Sequence, residues 1–144
     1  MKTILIIDDN NWDRQALQHI LEKAGYKVIA LEAAVNVNQL ISAEQVDLVI
    51  TDMVMPGQDG LQTITEIRQL YADLPIIAIS GAKTVQGHNK EQGYMAVSGR
   101  QILHHFPADY KDQLETLKLC GFLQKPCSAE KLISIVETLF SEEP

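Results

Sequence analysis

Five short apolar runs recur along this chain, and four of them give way to a side chain capable of chemistry. Ile4 to Ile7 stops at Asp8-Asp9, and Leu48-Val49-Ile50-Thr51 stops at Asp52. Ile76 to Ile79 stops at Ser80, and Phe122-Leu123-Gln124 stops at Lys125. The remaining run is Lys27 to Leu31. Continuous β-branched runs this short are the signature of strands covered on both faces.

The intervening segments carry helical period. Trp12, Ala16, Leu17, Ile20, Leu21 and Ala24 form one stripe, closed by Gly25. Val37, Leu40 and Ile41 follow Asn36, and Leu61, Ile64, Ile67 and Tyr71 precede Pro75. Ser128 opens a last segment bearing Leu132, Ile133, Val136, Leu139 and Phe140. Strands alternating with helices through short connections require a parallel sheet with helices on both faces. The expected fold is a doubly wound α/β sandwich of five strands and about five helices, filling residues 1–144 as a single domain.

One region breaks the rhythm. Between Gly81 and Cys120 the chain runs about twice the length of a helical crossover. Tyr110, Leu114 and Leu117 after Pro107 suggest one helix, and Arg100 to Phe106 a turn or two more. Gly81, Gly87, Gly93 and Gly99 recur every six residues, but without repeated apolar positions they describe a loop and not a solenoid. Residues 82–109 are therefore expected to be an insertion in the connection between the fourth and fifth strands, functional or mobile.

Twelve Lys and Arg stand against nineteen Asp and Glu, a net charge of -7, which argues against an electrostatic grip on nucleic acid or anionic lipid. The apolar start is too short for a secretory core or a membrane span. Cys120 and Cys127 match no zinc or redox spacing. His88, His104 and His105 have no ligand partners at metal spacing and read as solvated loop residues, as His19 does on its helix. A cytoplasmic protein with free thiols is expected.

In an open parallel sheet, ligands bind outside the carboxyl ends of the strands. Taken singly, an Asp after a strand is ordinary turn chemistry. Taken together, Asp8, Asp9, Asp52, Ser80 and Lys125 bring three carboxylates, a hydroxyl and an ammonium to one rim. Carboxylates that close repel one another, and a hard divalent cation relieves this; few carboxylates plus water suit Mg2+ better than Ca2+.

The runs Ile4-Leu5-Ile6-Ile7-Asp8-Asp9-Asn10, Asp47 to Gly60, Ile79-Ser80-Gly81 and Phe122-Leu123-Gln124-Lys125-Pro126 resemble the receiver domain of two-component response regulators, of the stand-alone, chemotaxis-regulator-like kind. The resemblance implies a flavodoxin-like five-stranded parallel sheet of order 2-1-3-4-5. It implies Asp52 as phosphoacceptor, with Lys125 and Ser80 contacting the phosphoryl group. It implies Mg2+ held by Asp8, Asp9, Asp52 and the backbone carbonyl of Val54. It further implies Ser80 and Phe122 as switch residues, and a cis peptide bond before Pro126. The implied partners are a histidine kinase or histidine phosphotransfer protein and a downstream protein, with neither nucleic acid nor membrane. The chain departs from the family in its long connection after Ser80 and in Leu117-Lys118-Leu119-Cys120-Gly121, where the family has Gly-Ala.

The expected function is therefore a phosphoacceptor switch that catalyses only its own phosphorylation and dephosphorylation. The alternative is a phosphorylation-independent adaptor acting through the insertion. A haloacid-dehalogenase-type phosphatase needs a second acid two residues after its nucleophile, where Val54 stands. A flavin phosphate would meet Asp8-Asp9 where it needs a cradle of N–H groups.

Overall fold

Alternate residues of a strand point to opposite faces, so an all-apolar strand needs cover on both sides. That is what the computed structural model, which describes residues 1–53, 60–80, 94–96, 121–124 and 128–141, contains. Among the described residues the elements in order are β1 (Thr3–Ile7), α1 (Asn11–Lys23), β2 (Lys27–Leu31), α2 (Val37–Glu44), β3 (Leu48–Asp52), α3 (Gly60–Leu70), β4 (Ile76–Ser80), β5 (Tyr94–Ala96), β6 (Gly121–Gln124) and α4 (Ala129–Ser141). The sheet runs β2-β1-β3-β4-β6-β5. Every pairing is parallel except that of β5 with β6.

The expectation was five strands, all parallel. Among the described residues the sheet has six, because three residues inside the expected insertion pair antiparallel to the far side of β6, Met95 opposite Phe122. An antiparallel neighbour needs no helical crossover, so a strand of the long connection can pair with β6 in this sense. Residues 81–93, 97–120 and 125–127 lie outside the described residues. With them lie the expected helix through Tyr110, Leu114 and Leu117, the three loop histidines, both cysteines and the bond before Pro126.

The core divides at the sheet. Leu5, Ile7, Val49, Ile76 and Ala78 face α2 and α3, packing with Ile41, Ile64 and Ile67. Ile4, Ile6, Leu48, Ile50, Ile77 and Ile79 face α1 and α4, packing with Leu17, Leu21, Leu132, Ile135 and Val136. Each buried Ile or Leu contributes roughly 1.5–3 kcal/mol of transfer free energy.

The helix boundaries have local causes. Asn10 Oδ1 caps α1 by accepting from the Asp13 N–H at 3.0 Å, and Gly25 leaves the helix at φ 102°, where a side chain is disfavoured. Ser128 Oγ caps α4 by accepting from the Lys131 N–H at 3.1 Å. Short α2 is bounded by two non-glycine left-handed residues, Asn36 and Gln45, both at φ 54°. Arg68 Nη1 donates to the carbonyls of Tyr71 and Leu74, fastening the turn from α3 into β4.

Trp12 departs from the stripe expected for α1: it is 84% exposed. At 3.6 residues per turn it sits about 140° around the helix from Leu17, off the buried face. No helix among the described residues is long and apolar enough to cross a membrane.

Candidate metal and phosphoryl site

The register of the sheet sets the site. Ile7 pairs with Thr51, so Asp8 and Asp52 emerge side by side where β1 and β3 end. Asp52 pairs with Ile79 and Ser80 with Gln124, which brings the ends of β4 and β6 to the same rim. One carboxylate oxygen from each of Asp8, Asp9 and Asp52 lies within 4.8 Å of the other two. Asp8 is fully buried and Asp52 nearly so, while Asp9 faces solvent.

Backbone and side-chain bonds orient Asp8. Its N–H donates to the Leu31 carbonyl at 3.0 Å, its Oδ1 accepts from the Asn10 N–H at 3.0 Å, and its own carbonyl accepts from Arg14 Nη1 at 2.9 Å. The other arm of that guanidinium, Nη2, donates to Asn11 Oδ1. Beyond Asp52, the Met53 N–H donates to the Ile79 carbonyl at 2.8 Å, continuing the β3–β4 pairing past the strand end. The Gly60 N–H donates to the Met53 carbonyl at 2.9 Å, bringing the first residue of α3 against the backbone that bears Asp52.

This approach is open only to glycine. A Cβ at position 60 would lie 2.3 Å from the Asp52 carbonyl oxygen and 2.6 Å from Met53 Cα. The sequence alone assigns no role in the site to Gly60, Asn10 or Arg14. The legible signal for Asn10 was its cap position before a helical stripe. Nothing in the sequence marks Arg14, whose bond to Asp8 exists only once α1 folds back beside β1.

The donor set fits a hard divalent cation. It is all carboxylate oxygen, the ligand type such cations prefer, and two of the three carboxylates are buried. Ser80 is the last residue of β4 and Phe122 lies within β6, both on described backbone. Val54 and Lys125 lie outside the described residues.

A model of the response regulator receiver domain matches residues 4–97. The chain belongs to this family. Receiver domains are the phosphorylation-controlled switches of two-component response regulators. The receiver is 35% identical over 85 residues to the response regulator receiver protein CpdR of Brucella abortus, covering 59% of this chain and 71% of that protein. It is 35% identical over 85 residues to the sensory/regulatory protein RpfC of Xanthomonas campestris pv. campestris, covering 56% of this chain but only 12% of RpfC. In fold it is similar to the chemotaxis protein CheY4 of Vibrio cholerae, with TM-score 0.73 at 21% identity over 96% of this chain and 98% of that one. It is also similar to the response regulator TrrA of Thermotoga maritima in complex with Mg2+ and BeF, with TM-score 0.69 at 25% identity over 96% of this chain and 99% of that one.

Proposed function

We propose that this receiver is a phosphoacceptor switch in which Asp52 takes a phosphoryl group from a histidine kinase or histidine phosphotransfer protein. The observation that carries the reading is the convergence of Asp8, Asp9 and Asp52 at the ends of two adjacent strands. The complex of TrrA with Mg2+ and BeF, and the occurrence of similar segments within RpfC, support it by analogy.

The residues divide the work. Asp52 presents a carboxylate oxygen as nucleophile; as its bond to phosphorus forms, the phosphorus–nitrogen bond of the donor breaks and its electron pair returns to the imidazole nitrogen. Little covalent help is needed in such a transfer, and positioning with charge neutralisation dominates. Asp8, Asp9, Asp52 and the Val54 carbonyl would hold Mg2+, which when bound supplies positive charge to offset that of the transferring oxygens. Lys125 is assigned to pair with the phosphoryl group and Ser80 to donate a hydrogen bond to it. Phosphorylation adds about -1.5 to -2 of charge. The attraction of Ser80 and Lys125 toward it, with Phe122 entering the vacated space, would change the surface read by a downstream protein. In this reading the chain turns over no external substrate and works in the cytoplasm.

Intact mass after incubation with acetyl phosphate and Mg2+ tests the proposal. Wild type should gain one phosphoryl group, Asp52→Asn none, and prior chelation should abolish the gain. Equal addition to both proteins would remove Asp52 from the role. No addition to either, and no protection by beryllofluoride, would favour the adaptor acting through the insertion.

A further inference from the structure

The metal-site reading leaves one group beside the triad without a task. Arg14 is half-buried on the first turns of α1, and its guanidinium spans two loop residues. Nη1 donates to the Asp8 carbonyl at 2.9 Å, and Nη2 donates to Asn11 Oδ1. A bare positive charge close to a cation site opposes the cation by Coulomb repulsion. A fork that immobilises a ligand residue does the reverse, since it reduces the disorder to be lost when the ligands close on the ion.

We infer that Arg14 is a positioning residue for the metal site, clamping the turn after β1 so that the Asp8 and Asp9 carboxylates face Asp52 before any cation arrives. This rests on the reading of the triad as a Mg2+ site. The geometry favours clamping over mere charge. The guanidinium bonds a backbone carbonyl and a side-chain amide oxygen, both of them neutral, and so acts through direction. Asp8 is thereby held at its N–H by Leu31, at Oδ1 by the Asn10 N–H and at its carbonyl by Arg14. The Arg14 N–H itself donates to the Asn10 carbonyl at 2.9 Å, so one residue ties the helix and the ligand-bearing turn together at both its backbone and its side chain. Asp9, the exposed member of the triad, has its position set by the residues on either side, both inside this network.

The two roles predict opposite signs. Mg2+ binding is measured by titration calorimetry on wild type, Asp9→Asn, Arg14→Met and Arg14→Lys, with thermal melts in chelator to register folding. Clamping predicts that Arg14→Met binds Mg2+ about tenfold more weakly than wild type, the scale of lost outer-shell support. Arg14→Lys keeps the charge but loses the fork, and should remain weakened by about threefold or more. In the metal-free protein, the Asn10 amide should exchange its hydrogen faster in both Arg14 variants, a readout independent of the ion.

Unchanged or tighter binding by Arg14→Met, as removal of a repelling charge would produce, overturns the inference. If Arg14→Met does not melt cooperatively, Arg14→Lys decides alone: weaker binding supports clamping and wild-type binding overturns it. If wild type itself binds no Mg2+, or Asp9→Asn binds it equally well, the site reading beneath the inference falls, and the inference with it.

Discussion

Asp52 stands where it does because Gly60 lets α3 begin directly against its backbone. The 2.3 Å that would separate a Cβ at position 60 from the Asp52 carbonyl oxygen is closer than atoms can approach, and the obstacle is main chain. Gly60→Ala must therefore displace either α3 or the end of β3. Overpacking of this kind costs about 1–3 kcal/mol, to be read from urea unfolding. Phosphorylation by acetyl phosphate should slow as well, because a nucleophile misplaced by 1 Å loses rate steeply. A Gly60→Ala protein with wild-type stability and rate would show that the turn yields without moving Asp52. The three aspartates were legible as strand-end residues in the sequence. Gly60 was not, because the clash that makes glycine necessary is with a residue the chain has to fold back to meet.

Elements join at the other end of the sheet through a small aromatic cluster. Tyr26, just after α1, meets Phe140 of α4 with ring centroids 5.5 Å apart, and Lys2 Nζ lies 5.3 Å from the Phe140 centroid. Burial, reinforced by the nearby Glu137 carboxylate, raises the Tyr26 phenol above its ordinary value of 10.0. An acid whose folded pKa is raised holds its proton in the folded state after the unfolded chain has released it. Its contribution to stability is complete below pH 10 or so and is lost as pH rises through the raised value. Alkaline urea melts of wild type should therefore lose stability more steeply above that pH than those of Tyr26→Phe; parallel curves would dismiss the linkage. Periodicity announced α1 and α4, yet not this contact, since Tyr26 lies outside both helical stripes.

At the scale of the molecule, the sheet separates the buried apolar side chains of the described residues into two layers. Ile67 belongs to the layer under α2 and α3, and Ile135 to the layer under α1 and α4. Ile67→Val and Ile135→Val should each cost about 0.5–1.5 kcal/mol, and the double variant should cost their sum within about 0.5 kcal/mol. Coupling well beyond that, in equilibrium unfolding, would mean that the sheet transmits strain between its faces. The order β2-β1-β3-β4-β6 places the two acid-bearing strands side by side, so the proposed phosphoryl site lies at the seam between them. The sixth strand extends it beyond β6, on the side away from β4.

Local sequence was enough for the apolar runs, the helical stripes and the polar residues that end four strands, because pattern and capping act over a few residues. The apolar runs needed cover on both faces, and that demand alone dictated a doubly wound sheet. What lay beyond local reading was juxtaposition. The bonding of Arg14 to the Asp8 carbonyl, the backbone approach at Gly60 and the antiparallel pairing of Tyr94–Ala96 all depend on how elements are set against one another. Those distances arise from packing, which sums over partners remote in the chain and leaves no periodic trace along it.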